Sequence, residues 1–400
     1  MKILEETGIS LEVIHLLAIG LIMLALSTVL FSVAAGALPY YEDGVYGLLL
    51  IMFGLQLQTI GKTPIGSVKR SWPGLISGAI ITAIGFATCF IPGALGDIPK
   101  VLVMIIFGAG STLLLLQLFS ADEVRQFRKA LDDGVVTHLT VSGAAVYILE
   151  ILIAVLIAAQ IYRPLLISTD ILAVVALLFG IALFYLAFML QKVHRLHAGS
   201  EIPTNTPGAS LNTIMGMQFG LYMLVLGCLL VPVNLGLLPY ATSAMHGALI
   251  VLLGVQALVC GTMMTFAFKR NWIFFLVGMV LVAVGAFAII VPDTIVEFLI
   301  IFIGVFVILG GLHLLYILFW PKPKPAEPAP KPKGKDLLLM ISLLALALLT
   351  VAMMITFGLS MLFKNLIQGL TIAGVLVCFG LSQFALFYVQ SLAEKKHLIG

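Results

Sequence analysis

The sequence predicts an all-α, polytopic helical membrane protein. Twelve transmembrane helices are expected, in two parallel six-helix repeats related by a pseudo-twofold axis along the membrane normal. Three observations carry the prediction. Of 400 residues, 62% are apolar and only 10% charged, against about 25% charged in a typical soluble domain. The apolar residues gather in runs near the ~20 residues that a spanning helix needs. Landmarks of Gly, Pro, Trp and Lys-Arg recur at a constant displacement along the chain. The same composition argues against a soluble enzyme, which needs a charged surface, and against disorder. A net charge of +3 with no basic domain argues against nucleic acid as a partner.

The first half should hold spans at Leu11–Gly36, Val45–Gly61, Pro73–Ile91, Val101–Phe119, Val136–Ile161 and Thr169–Gln191. The second half should hold them at Leu211–Gly236, His246–Phe268, Trp272–Val291, Ile295–Phe319, Leu337–Phe357 and Ile367–Val389. Each is continuously apolar, where a barrel strand would alternate over about ten residues. The second is short and can begin nearer Tyr41. The third and ninth stop before Pro92 and Pro292, where a proline ends a helix at little cost. The charged loop Ser120–Gly134 closes the fourth and suits a short interfacial helix. The tenth is followed by residues 320–335, WPKPKPAEPAPKPKGK. Its prolines predict a semi-rigid cytoplasmic linker. Its lysines favour anionic headgroups by about 1 kcal/mol each, and a protein partner at the cytoplasmic loops is the alternative. The N-terminus, with Glu5 and Glu6 beside Lys2, does not read as a signal peptide.

Twelve spans put both termini on one side. Of the 21 Lys and Arg, only Lys100, Arg163 and Lys364 fall opposite that side. The positive-inside rule then places the termini in the cytoplasm, with membrane lipids as expected partners.

The recurrence is in register. Leu38-Pro39-Tyr40 returns as Leu238-Pro239-Tyr240, Lys69-Arg70 and Trp72 as Lys269-Arg270 and Trp272, and Phe179-Gly180 as Phe379-Gly380. It divides the chain into repeats 1–200 and 201–400, with equal orientation. Within it runs a glycine heptad: Gly47, Gly54 and Gly61; Gly78 and Gly85; Gly247, Gly254 and Gly261; Gly278 and Gly285. Seven residues are about two turns, so each set lines one helix face. Small residues let helix backbones approach closely in lipid, so packing is their expected role. A pore lining or a hinge is the alternative.

A glycine-spaced helix, a proline turn and a second glycine-bearing helix resemble the short hairpin repeat of the HdeD-like family. The clearest copy is Gly278-Met279-Val280-Leu281-Val282-Ala283-Val284-Gly285-Ala286-Phe287-Ala288-Ile289-Ile290-Val291-Pro292, continuing to Gly304 and Gly310-Gly311-Leu312. A weaker copy runs from Gly78 to Gly110. Family members are typically six-span chains of about half this length, so the chain is similar to two such units in tandem. The resemblance implies a helical inner-membrane protein, linked in some members to acid stress. It carries no catalytic motif. The loop Ser120–Gly134 and the Pro/Lys linker depart from the family pattern.

An ionisable residue inside a span is a functional hypothesis by default. Glu150 is the foremost candidate, about 21 Å along its helix from Val136, with Tyr147 one turn before it. Two readings stand: a carboxylate binding a proton, cation or solute in a cavity, or a structural hydrogen-bonded Glu. Gln56 and Gln256 recur on the glycine stripe, with interhelical bonding as their default role and solute contact as the alternative. Glu12 and His15 suit a local ion pair. Cys89, Cys228, Cys260 and Cys378 suit buried free thiols. No catalytic motif is evident, and no metal or other cofactor is expected. The sequence therefore favours a non-enzymatic stress or accessory membrane protein. A transporter or channel using Glu150 is the alternative, and a membrane anchor in a larger complex a further one.

Overall fold

A computed structural model describes residues 7–60, 62–63, 66–67, 72–120, 133–163, 167–196, 211–263, 266–267, 271–320, 334–363 and 366–395. Loop Ser120–Gly134, the Pro/Lys linker, Gly61 and His197 lie wholly or largely outside them. The chain is an all-α polytopic membrane protein. The first half holds α1 (Leu11–Ala34), α2 (Glu42–Thr59) and α3 (Trp72–Phe90). Next come α4 (Ile98–Ile105), a π-helical turn (Ile106–Gly110), α5 (Ser111–Ser120), α6 (Asp133–Tyr162) and α7 (Thr169–Leu196). The second half holds α8 (Leu211–Asn234), α9 (Thr242–Cys260), α10 (Trp272–Ile290), α11 (Val296–Phe319), α12 (Lys335–Leu362) and α13 (Gly369–Lys395).

Among the described residues, 11 helical segments are long and apolar enough to cross a membrane, α4 and α5 counting as one. α2 is not among them. It opens on Glu42-Asp43 and carries Gln56 and Gln58, so its composition falls short where that of α9 does not. The helices carry no strong apolar stripe, because apolar residues surround them. Large side chains such as Ile76, Ile80, Phe188, Leu276 and Phe298 face outward, as lipid-facing positions do.

Local chemistry sets the boundaries. The Ser10 hydroxyl accepts from the Val13 amide at 3.4 Å and caps α1. Asn271 caps α10 in the same way, through Phe274 at 3.0 Å. Gly36 follows α1 with φ 70° and Gly236 follows α8 with φ 72°, a conformation that costs glycine little. The turns close alike, Ala37 to the Ser32 carbonyl at 2.8 Å and Leu237 to the Pro232 carbonyl at 2.9 Å. Two minimal antiparallel pairs, β1 (Lys62–Thr63) with β2 (Gly66–Ser67) and β3 (Thr262–Met263) with β4 (Phe266–Ala267), also share one register.

The compact units differ from a division at residue 200. One comprises Met1–Gly208, Tyr240–Gly261 and Lys269–Thr294; the other comprises Ala209–Pro239, Thr262–Phe268 and Ile295–Gly400. The α9–α10 hairpin belongs to the first unit because it packs on α1, α2 and α3. Two backbone bonds fasten it there. The Tyr41 amide donates to the Ile290 carbonyl at 3.0 Å, and the Ala241 amide to the Phe90 carbonyl at 2.9 Å. Each bond is the other displaced by 200 residues, which makes the contact self-complementary.

The glycine stripes explain how the hairpins close. A methyl group on Gly47 would stand 2.7 Å from the Gly85 carbonyl oxygen, and one on Gly85 would stand 2.7 Å from that of Gly47. Gly247 and Gly285 face each other likewise, at 2.6 Å both ways. Gly54 meets Gly78, and Gly254 meets Gly278, one heptad further along. Such approach leaves no room for a side chain and gives dispersion contact between backbones. Gly261 departs from the stripe. It caps α9 at φ 64°, so its task is to end the helix.

Candidate functional site

A cavity of about 480 Å³ opens inside the first unit between α1, α2, α5, α6 and α7. Each helix contributes one face at helical spacing. From α1 come Glu12, Leu16 and Ile19; from α2, Leu49, Met52, Phe53 and Gln56; from α6, Leu139, Val146, Tyr147 and Glu150. From α7 come Phe179, Leu183, Leu186 and Leu190, and the π-helical turn with α5 supplies Phe107, Ser111 and Gln117. The walls are mostly apolar, with a few polar groups turned inward. No Lys, Arg or His is among the described residues of the lining.

The cavity reaches the end of the unit where α1 and α6 begin. Glu12 begins α1, Leu139 lies near the start of α6, Gln117 near the end of α5 and Leu190 near the end of α7. These mark one end of the unit. Glu150 lies eleven residues beyond Leu139, about 17 Å deeper. Beyond Glu150 the helices seal: Leu50, Val103, Ile157 and Ala173 are buried in one apolar cluster. Past that layer a polar knot holds the other end. The Lys100 ammonium pairs with Glu42 at 3.0 Å and sits 5.7 Å over the Tyr46 ring. The Tyr46 hydroxyl donates to Gln160 at 3.3 Å.

At the floor of the vestibule the Ser111 hydroxyl donates a hydrogen bond to Glu150 Oε2. Ser111 comes directly after the π-helical turn Ile106–Gly110. One extra residue in that turn rotates the start of α5 about the helix axis, and such bulges are frequent at functional sites. The turn thereby aims Ser111 across at α6. Glu150 is partly buried, with one oxygen bonded to Ser111, and lies on the wall of the vestibule.

Three of the residues singled out from the sequence, Glu150, Tyr147 and Gln56, line this one space. Gln256 is buried in α9 and is not among the described lining residues. The interhelical bond anticipated for Gln56 is made by Gln58. Its amide nitrogen donates to the Gly54 carbonyl at 3.2 Å and to the Thr82 hydroxyl at 3.4 Å. His15 is buried near the start of α1. Its Nδ1 lies 3.0 Å from the Leu11 carbonyl and its Nε2 lies 3.1 Å from the Thr59 hydroxyl, so the ring joins α1 to α2. Glu12 lines the cavity at the start of α1. Cys89 is buried, but Cys228 and Cys378 sit on outer helix faces and Cys260 is half-buried. An all-round apolar helix hides no particular face, so burial did not follow from the apolar context. Among the described residues no group of three or more His, Cys, Asp or Glu is placed to hold a metal ion.

Fold and site together define an integral membrane protein of many apolar helices with an internal acidic vestibule. No protein-family model matches the chain, no curated protein matches it, and no solved structure matches it.

Proposed function

We propose that this protein is a non-enzymatic membrane carrier or receptor for a small cationic solute with an apolar body, bound in the vestibule at Glu150. The carrying observation is the vestibule's chemistry: two carboxylates, apolar walls and no cationic side chain among the described lining residues. Its volume of about 480 Å³ lies within the ~300–1,000 Å³ of small-molecule sites. A bare ion would leave most of that space unfilled. An organic ammonium would put its charge on Glu150 and its apolar body against Phe53, Phe107 and Phe179, whose ring faces attract cations. An anion would meet the Glu150 carboxylate and no cation among the described lining residues.

The recurrence at 200 residues supports a tandem pair of six-helix units about a pseudo-twofold axis. The reciprocal bonds Tyr41–Ile290 and Ala241–Phe90 favour the same reading. The sorting of Lys and Arg supports cytoplasmic termini, with the end of the vestibule at Glu12 and Leu139 on the cytoplasmic side. A second reading, an HdeD-like accessory protein acting by packing with partners, is favoured by the glycine hairpins but gives the vestibule no task.

The deciding experiment measures radiolabelled benzyltrimethylammonium binding to the purified chain and its uptake into proteoliposomes. Saturable binding that is lost in Glu150→Gln is expected. Absent binding, or binding unchanged by that substitution, rejects the proposal.

A further inference from the structure

A second opening in the first unit lies on another side of α1. It is a groove of about 420 Å³ between α1, α7 and α10. Its wall is apolar: Val13, Leu17, Phe184, Phe188 and Phe275. Its rim at one end is cationic and aromatic, formed by Lys192, Arg195 and Trp272. No Asp or Glu is among its described lining residues. Gln191 also borders it but is already engaged. Its amide nitrogen donates to the Gly8 carbonyl at 2.9 Å and fixes the segment before α1 against α7.

The placement of these groups reflects their positions along the helices. Val13 stands near the start of α1, Lys192 and Arg195 near the end of α7, and Trp272 at the start of α10. The two cations are three residues apart, hence neighbours on one helix face. Lys192, Arg195 and Trp272 are exposed at the same end of the bundle. The groove runs from them toward the interior along Phe184, Leu17 and Phe188. Tryptophan prefers the headgroup level of a bilayer, and basic pockets between helix ends hold anionic lipid headgroups.

We propose that this groove binds one anionic phospholipid. Its phosphate lies between Lys192 and Arg195, its glycerol region beside Trp272 and an acyl chain along the apolar wall. Charge and shape argue together. A zwitterionic lipid would bring a choline group against two cations with no acid among the described lining residues. A soluble phosphate would satisfy the rim and leave the wall bare. The corresponding positions in the repeat keep Trp72 and Lys395 for Trp272 and Arg195, and depart elsewhere. Leu392 stands where Lys192 does, and Phe387, where Ala187 does, lodges against Gly216.

The test uses the full chain with Trp72→Phe and Trp320→Phe, leaving Trp272 as the reporter. Fluorescence quenching by lipids brominated on the acyl chain is monitored in mixed micelles. Phosphatidylglycerol should quench at roughly thirtyfold lower mole fraction than phosphatidylcholine, which is about 2 kcal/mol from two cations. Lys192→Gln with Arg195→Gln should erase that preference while leaving the helical content unchanged. Glycerol phosphate at millimolar concentration should not displace the lipid. Lipid retained by the natural sequence, read by native mass spectrometry, gives a second readout independent of the Trp substitutions. Equal quenching by both lipids, a preference that survives the double substitution, or displacement by glycerol phosphate would each overturn the proposal.

Discussion

Around Glu150 and around the position 200 residues later, similar helices end in opposite outcomes. In the first half, Glu150 of α6 meets Ser111, with Tyr147 one turn before it, on the wall of an open vestibule. In the second, Thr350 of α12 occupies the same place in the count. Ala347 stands for Tyr147, Gly311 for Ser111 and Gln383 for Leu183. Thr350 is buried, and its hydroxyl accepts from the Gln383 amide at 3.0 Å. The neighbouring helix also differs. α4 and α5 are separated by a π-helical turn, whereas α11 runs unbroken from Val296 to Phe319. Gly304 and Gly358 let α11 and α12 touch, a methyl on Gly358 standing 2.8 Å from the Gly304 carbonyl. Met104 and Ala158 hold those positions in the first half. A few side chains thus decide whether one scaffold is closed by glycine contact and a neutral hydrogen bond or held open around a carboxylate. Among the described residues, the first half sets a carboxylate at this place and the second a neutral hydrogen-bonded pair.

The sharpest way to break this contrast is to neutralise Glu150. Glu150→Gln keeps the shape of the side chain and removes its charge. Affinity for benzyltrimethylammonium should fall roughly thirtyfold to a hundredfold, from losing a charge-assisted contact worth about 2–3 kcal/mol. Thr350→Val should leave that affinity within twofold. Calorimetric titration of both variants measures the contrast directly. Equal losses would mean that the two halves share the function.

The hairpins give the next largest effect, on stability. Gly54→Ala places its methyl against the Thr82 hydroxyl and 2.6 Å from the Gly78 carbonyl; Gly254→Ala meets the Gly278 carbonyl at 2.8 Å. Overpacking of this kind costs about 1–3 kcal/mol. Both variants should melt earlier, and Gly54→Ala should melt earlier than Gly254→Ala. The first hairpin also stands to lose the Gln58 and Thr82 bonds, which Leu258 and Val282 replace in the second. Thermal unfolding in detergent measures the order, and a reversed order would locate the tighter crossing in the second hairpin.

A smaller effect tests the π-helical turn. Ser111→Ala removes the donor to Glu150 without altering the charge. Ligand affinity should fall about fivefold, near 1 kcal/mol for one hydrogen bond. No change would mean that the turn serves the backbone alone.

Rarity made part of the site legible in the sequence. Charges are so scarce that a Glu in the middle of an apolar run stands out, and helical spacing adds its neighbour Tyr147. Helix number and most boundaries were legible because apolar runs interrupted by Pro, Gly and charges have few interpretations. Direction was not. Helices apolar on every side carry no pattern saying which face turns inward. Gln56 and Gln58 were therefore indistinguishable, and the outward placement of Cys228 and Cys378 was hidden. Ser111 was missed because its role depends on an irregular turn, for which Gly108 and Gly110 gave the only hint. The packing of the α9–α10 hairpin into the first unit depends on tertiary contact, which no local signal records.

The smallest predicted effect belongs to the closed half. Gln383→Leu would strand the buried Thr350 hydroxyl without its donor, although that hydroxyl can turn to its own helix backbone. A loss of about 1 kcal/mol is expected, because an unsatisfied buried group costs more than the bond contributes. Adding Thr350→Val should return most of it, since an apolar pair of similar shape leaves no polar group unsatisfied. A double-mutant cycle by thermal unfolding isolates this coupling. Ligand binding should stay constant through the whole cycle. If it moves, the Thr350–Gln383 contact is part of how the vestibule opens, and the two halves act as one device.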